Sequence, residues 1–136
     1  MRVEPHLLFQ GTCEEAFDLY AKVLRGEITF KMTYGNSPEE MRGPKEWHDK
    51  LMHATLKLPS GNMSGNDAPA DRYQKPSGIT MTIQMSDVKE AERVFAELSA
   101  GGQVQMPLAE TFWAARFGMF TDRFGIPWMV NCEKAA

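Results

Sequence analysis

The chain repeats itself, and that constrains its fold more than any other feature. Leu8-Phe9-Gln10-Gly11-Thr12-Cys13-Glu14-Glu15-Ala16-Phe17-Asp18-Leu19-Tyr20-Ala21 reads as strand, turn and helix. Seventy-five residues later, Ile83-Gln84-Met85-Ser86-Asp87-Val88-Lys89-Glu90-Ala91-Glu92-Arg93-Val94-Phe95-Ala96 reads the same way. At that one offset Glu15 matches Glu90, Ala16 matches Ala91, Ala21 matches Ala96 and Gly26 matches Gly101, with Tyr20 facing Phe95. A repeat of this size is a duplicated supersecondary unit.

Each copy carries start and stop signals for its helix. Thr12 and Asp87 are placed to cap the first amides, with Glu15 and Glu90 three residues on in a capping-box pattern. Ala16, Leu19, Tyr20 and Val23 recur at helical spacing, as do Ala91, Val94, Phe95 and Leu98. Gly26 and Gly101-Gly102 offer residues that accept positive φ and end the helices. Strands follow: Glu27 to Tyr34, Leu51 to Leu58 and Asn62 to Asn66, then Gln103 to Pro107, Ala114 to Thr121 and Pro127 to Cys132. Pro59-Ser60-Gly61-Asn62 and Asp122-Arg123-Phe124-Gly125 read as the turns of corresponding hairpins. Asn36 to Lys50 reads as an inserted loop or short helix, and Asp67 to Ser77 as a connector. The expected fold is therefore α+β: two βαβββ modules forming curved mixed sheets around a cleft. Residues 1–136 make one domain, with module one at about 1–67 and module two at about 78–136.

Charge and composition narrow the function classes. A net charge of −3, with basic residues scattered among acidic ones, disfavours nucleic acid, which needs a concentrated cationic patch. No apolar run approaches the roughly 20 residues that span a bilayer. Met1 to His6 lacks the apolar centre of an export signal, so a cytoplasmic location is expected. Cys13 and Cys132 match no metal or redox spacing and read as buried free thiols in a reducing compartment.

The element order, together with particular residues, resembles the vicinal-oxygen-chelate superfamily of glyoxalases, bleomycin-resistance proteins and extradiol dioxygenases. It is most similar to the PhnB-like branch, which carries a 3-demethylubiquinone methyltransferase-like label. The residues concerned are Phe9-Gln10-Gly11, Glu14-Glu15-Ala16, Tyr20, His53-Ala54 and Asp67, then Gly101-Gly102, Glu110-Thr111-Phe112-Trp113, Phe117-Gly118 and Asp122 through Trp128. The resemblance spans nearly the whole chain and implies a ligand cleft and a homodimer. In the superfamily's metalloenzymes, ligands come from the first and last strands of each module. Those positions fall here at Pro5 (or His6 with a one-residue shift), Gly65, Thr80 and Met129. Pro, Gly and Met are poor divalent ligands beside the usual His, Glu and Gln, so no metal and no other cofactor is expected. The methyltransferase label finds no Gly-x-Gly loop opening a helix to support it.

The candidate ligand-binding residues are His53, Asp67, Glu110, Trp113 and Arg116. His53 lies mid-strand on the face opposite Ala54, Leu56 and Leu58, pointing to the cleft or to solvent. It is either a proton-transferring anchor or a hydrogen-bonded structural histidine. Asp67 closes a strand in a pocket or turn role, and Glu110 is a rim carboxylate or a surface residue. Arg116 needs a partner if buried, from Glu110, Asp67 or an anionic ligand. Trp113 and His53 are expected to face the same cleft, as apolar wall and polar anchor. The leading function is a metal-free protein that binds or sequesters a small, partly aromatic or carbonyl-bearing molecule. The alternative is a divalent-metal-dependent lyase, isomerase or dioxygenase-like enzyme using His6, His53, Asp67 and Glu110.

Overall fold

The computed structural model describes residues 1–135 as two compact units that divide between Lys75 and Pro76. The first unit contains β1 (His6–Phe9), α1 (Cys13–Val23), β2 (Glu27–Thr33), β3 (Leu51–Leu58) and β4 (Gly61–Asp67). The second contains β5 (Met81–Met85), α2 (Val88–Ser99), β6 (Gln103–Ala109), β7 (Ala114–Thr121) and β8 (Pro127–Glu133). The sheet orders are β1-β4-β3-β2 and β5-β8-β7-β6. The β1–β4 and β5–β8 pairs are parallel and all other neighbours antiparallel, so each unit is a βαβββ module with a mixed sheet.

In each unit one sheet face is covered by its helix, and the strand periodicity sorts the residues between faces. In the first unit Cys13, Ala16, Phe17, Tyr20 and Val23 of α1 are buried, as are Phe9, Ala54, Leu56 and Met63 of the strands. The rings of Phe9 and Phe17 meet edge to face, 5.9 Å between centroids. Burying each such aromatic contributes about 2–3 kcal/mol. Phe17 lies against the backbone of β4: a Cβ on Gly65 would sit 2.9 Å from Phe17 Cζ, so only glycine permits this approach. The second unit repeats the device, with Phe95 over Gly118. There the helix face is Ala91, Val94, Phe95 and Leu98, the set expected from the sequence.

Two local expectations change. Asp87 caps α2 as expected, accepting from the amides of Lys89 and Glu90, but the Thr12 side chain makes no cap to α1. Positive φ after α1 belongs to Arg25 (φ 56°) rather than Gly26, which donates its amide to Ala21 O in the six-to-one bond of a Schellman stop. Gly26 is needed for space instead, because a Cβ there would stand 2.7 Å from Leu58 Cδ2 and from the Lys57 carbonyl. The insertion after β2 is three 3₁₀ turns, tied back through Gly35 N to His48 O and the Tyr34–Trp47 ring contact.

Candidate functional site

The face of each sheet turned away from its helix carries the polar groups. In the first unit, Phe30 and Met32 of β2 stand opposite Thr55 and His53 of β3. Thr55 is in register with Ser64 of β4, and Ser64 with His6 of β1. The side chains follow that register. His6 Nδ1 lies 2.7 Å from Ser64 Oγ, and its Nε2 lies 2.6 Å from Asn66 Oδ1. The His53 ring is 5.8 Å from that of His6 and 5.9 Å from that of Phe30. Its Nε2 is a long 3.4 Å from Thr55 Oγ1. The result is two imidazoles, two hydroxyls and an amide, bordered by Leu8, Phe30 and Met32.

The second unit's open face has different chemistry. Trp113, half-exposed at the entry to β7, donates Nε1–H to Asn131 Oδ1 at 3.3 Å, and Asn131 donates to Gln84 Oε1 at 2.8 Å. The Trp113 ring meets Phe112 at 4.8 Å and Phe117 at 5.2 Å, both edge to face. Phe112 is 89% exposed.

The other candidates from the sequence lie elsewhere. Asp67 is 1% exposed and points to the helix side. Its Oδ1 accepts from the amides of Gly11 and Cys13, and its Oδ2 from the amide of Leu51, each at 2.9 Å. It thus supplies the acceptor that Thr12 withholds and ties the β1–α1 turn to the start of β3. Both carboxylate oxygens are used inside the fold, a contact pattern that fits the turn role of the two open to it. Arg116 also faces the helix side. Its guanidinium sits 3.6 Å from Glu92 on α2, so its partner is neither Glu110 nor Asp67. Glu110 is exposed in the turn between β6 and β7.

Ser64, Asn66, Gln84 and Asn131 were not singled out by the sequence reading. A signal existed: in Asn62-Met63-Ser64-Gly65-Asn66-Asp67 the polar amides and hydroxyl alternate with buried positions. Counting from the turn glycine selected Gly65, which faces α1. The two hairpins differ in length, since Leu58 pairs with Gly61 across Pro59-Ser60 whereas Thr121 pairs with Pro127 across Asp122 to Ile126. A fixed count therefore lands on opposite faces. Pro5 and Thr80 likewise precede their strands, and the open-face residue of β1 at this level is His6.

The corrected positions still make a poor metal set. The first unit offers one imidazole, His6, beside a hydroxyl and an amide, and the second offers Thr82, Gln84, Met129 and Asn131. Among the described residues, no group of three or more His, Cys, Asp or Glu could hold a metal ion. Cys13, the first residue of α1, is buried, and burial, with the nearby Asp67 and Glu14 carboxylates, pushes its thiol well above the usual range.

The model of the family described as 3-demethylubiquinone-9 3-methyltransferase matches residues 1–131. The chain belongs to that family. It is 32% identical over 142 residues to Protein YjdN of Escherichia coli K12, a match covering 98% of this chain and 97% of YjdN. Among solved structures it is similar to protein PA1353 from Pseudomonas aeruginosa, at 44% identity and a TM-score of 0.89, covering 99% of each chain. The PhnB protein from Bacillus cereus shares the fold at 22% identity and a TM-score of 0.83, covering 99% of this chain and 100% of that one. The glyoxylase/bleomycin resistance protein/dioxygenase domain from Frankia sp. EAN1pec shares the fold at 11% identity and a TM-score of 0.67, covering 98% of this chain and 97% of that one.

Proposed function

We propose that this family member is a metal-free small-molecule binder that holds or sequesters its ligand on the open face of the first sheet. The observation that carries this reading is the convergence of His6, His53, Thr55, Ser64 and Asn66 on one face bordered by Phe30, Met32 and Leu8. A few convergent polar groups in apolar surroundings are what small-molecule sites need. Imidazole and hydroxyl donors suit a carbonyl-bearing ligand, and His53 is its principal anchor. In the second unit Trp113 and Phe117 present an aromatic surface suited to a flat ligand group. Buried free thiols at Cys13 and Cys132 fit a reducing cytoplasm.

Mass spectrometry of the gently purified protein tests the reading, with a bound organic compound lost in His53→Ala as the expected result. Elemental analysis finding about one Zn, Ni, Mn or Fe per chain, removed by His6→Ala or His53→Ala, would overturn it in favour of a divalent-metal lyase, isomerase or dioxygenase.

A further inference from the structure

The contacts of His6 fix its tautomer. Asn66 Nδ2 donates to the Asp67 carbonyl at 3.0 Å, which leaves Asn66 Oδ1 turned towards His6. The flipped amide would set two acceptors against each other, so this orientation follows from the chemistry. Oδ1 can only accept, so His6 Nε2 carries the proton. In the neutral ring Nδ1 is then the acceptor, and at 2.7 Å the group it accepts from is the Ser64 hydroxyl. Ser64 thus has a base whose second nitrogen is held by a third group, the arrangement that activates a hydroxyl nucleophile. On its other side Ser64 stands in register with Thr55, whose hydroxyl makes only the long 3.4 Å contact to His53 Nε2. Half-buried Ser64 and exposed His6 are open to a ligand.

We propose that Ser64 is a nucleophile, activated by His6 and positioned through Asn66, and that the open face of the first sheet hydrolyses small carboxylic esters. The inference rests on that face being the ligand site and adds covalent chemistry to it. Ser64 Oγ bonds to the ester carbonyl carbon while its proton passes to His6 Nδ1. Thr55 O–H donates to the oxyanion. Collapse breaks the bond to the leaving alkoxide, which takes the proton from His6 and departs as the alcohol. Water attacks the acyl-serine with the same proton transfer, releasing the carboxylic acid and restoring Ser64. Ser64, His6 and Thr55 touch the reacting atoms; Asn66 is a positioning residue.

The test treats the whole chain with a small alkyl fluorophosphonate, which transfers phosphorus to an activated serine with loss of fluoride, and locates the adduct by peptide mass spectrometry. The expected result is one adduct, on Ser64, absent in Ser64→Ala and formed at least about 100-fold more slowly in His6→Gln. Asn66→Ala should slow labelling and move its pH profile, which a purely structural role would not do. Hydrolysis of p-nitrophenyl acetate should be lost in Ser64→Ala, read against the wild-type chain. If His6→Gln fails to fold, the wild-type adduct position and Ser64→Ala decide. No adduct at Ser64, or labelling there at the same rate in His6→Gln, overturns the proposal. Because the fluorophosphonate needs no affinity for the natural ligand, that failure is separable from failure of the binding reading.

Discussion

Replacing Asp67 by Asn separates the two roles that a carboxylate at that position can have. The side chain is 1% exposed, and its two oxygens accept three backbone amides, from Gly11, Cys13 and Leu51. Asn keeps the shape but turns one acceptor into a donor. Whichever way the amide sits, at least one buried N–H then faces another N–H. The least damaging orientation keeps Oδ1 on Gly11 and Cys13 and sets Nδ2 against Leu51 N. That removes one charge-assisted bond, worth about 1.5–3 kcal/mol, weakens the other two by loss of charge, and leaves a buried donor unpaired. The expected loss is about 2–4 kcal/mol. For 136 residues, an unfolding entropy of roughly 0.29 kcal/mol/K translates this into a fall in Tm of about 7–14 °C. Urea unfolding followed by circular dichroism reads the free energy, and the m-value should stay constant because the surface exposed on unfolding is unchanged. Ligand binding, measured well below the lowered midpoint, should be close to wild type. A variant less than about 0.5 kcal/mol destabilised, yet unable to bind, would restore Asp67 to the ligand site and refute the assignment.

Three further outcomes follow from particular contacts. His53→Ala should lower affinity for the bound compound by about 1–3 kcal/mol with little change in stability, because the ring lies on the open face; unfolding of the variant would make His53 structural. Light scattering should give the mass of a homodimer, whose interface of roughly 2,000 Å² or more would cover exposed residues such as Val104 and Met106; a monomer at micromolar concentration would sink this. Cys13 should resist dithionitrobenzoate in the folded protein even at mildly alkaline pH, since the thiolate is the reactive form and the raised pKa keeps the group protonated; rapid labelling lost in Cys13→Ser would contradict the burial.

The elements were legible where periodicity and punctuation agree. The hydrophobic spacing of Ala91, Val94, Phe95 and Leu98 is the buried face of α2, and strands β3 and β7 have the bounds read from the sequence. What escaped depends on partners distant along the chain. Asp67 caps α1 from 54 residues beyond Cys13, so no local rule could replace Thr12 with it. Gly26 signalled a helix stop correctly, but for the room it leaves Leu58 rather than for its own φ. Arg116 was expected to seek Glu110, Asp67 or an anionic ligand, whereas strand alternation puts it on the face of Gly118, towards α2 and Glu92.

The chemistry of the open faces was the least legible part, for a physical reason. The helix side of each module must fit an aromatic onto strand backbone, Phe17 over Gly65 and Phe95 over Gly118, and that requirement shows in composition. The open side carries no such packing constraint. Equivalent surfaces can therefore hold His6, His53 and Ser64 in one unit and Trp113, Phe117 and Asn131 in the other. A repeat found by matching residues is found through its constrained side. The function must be sought where the two copies disagree, and in the first unit that disagreement puts an imidazole beside a serine hydroxyl.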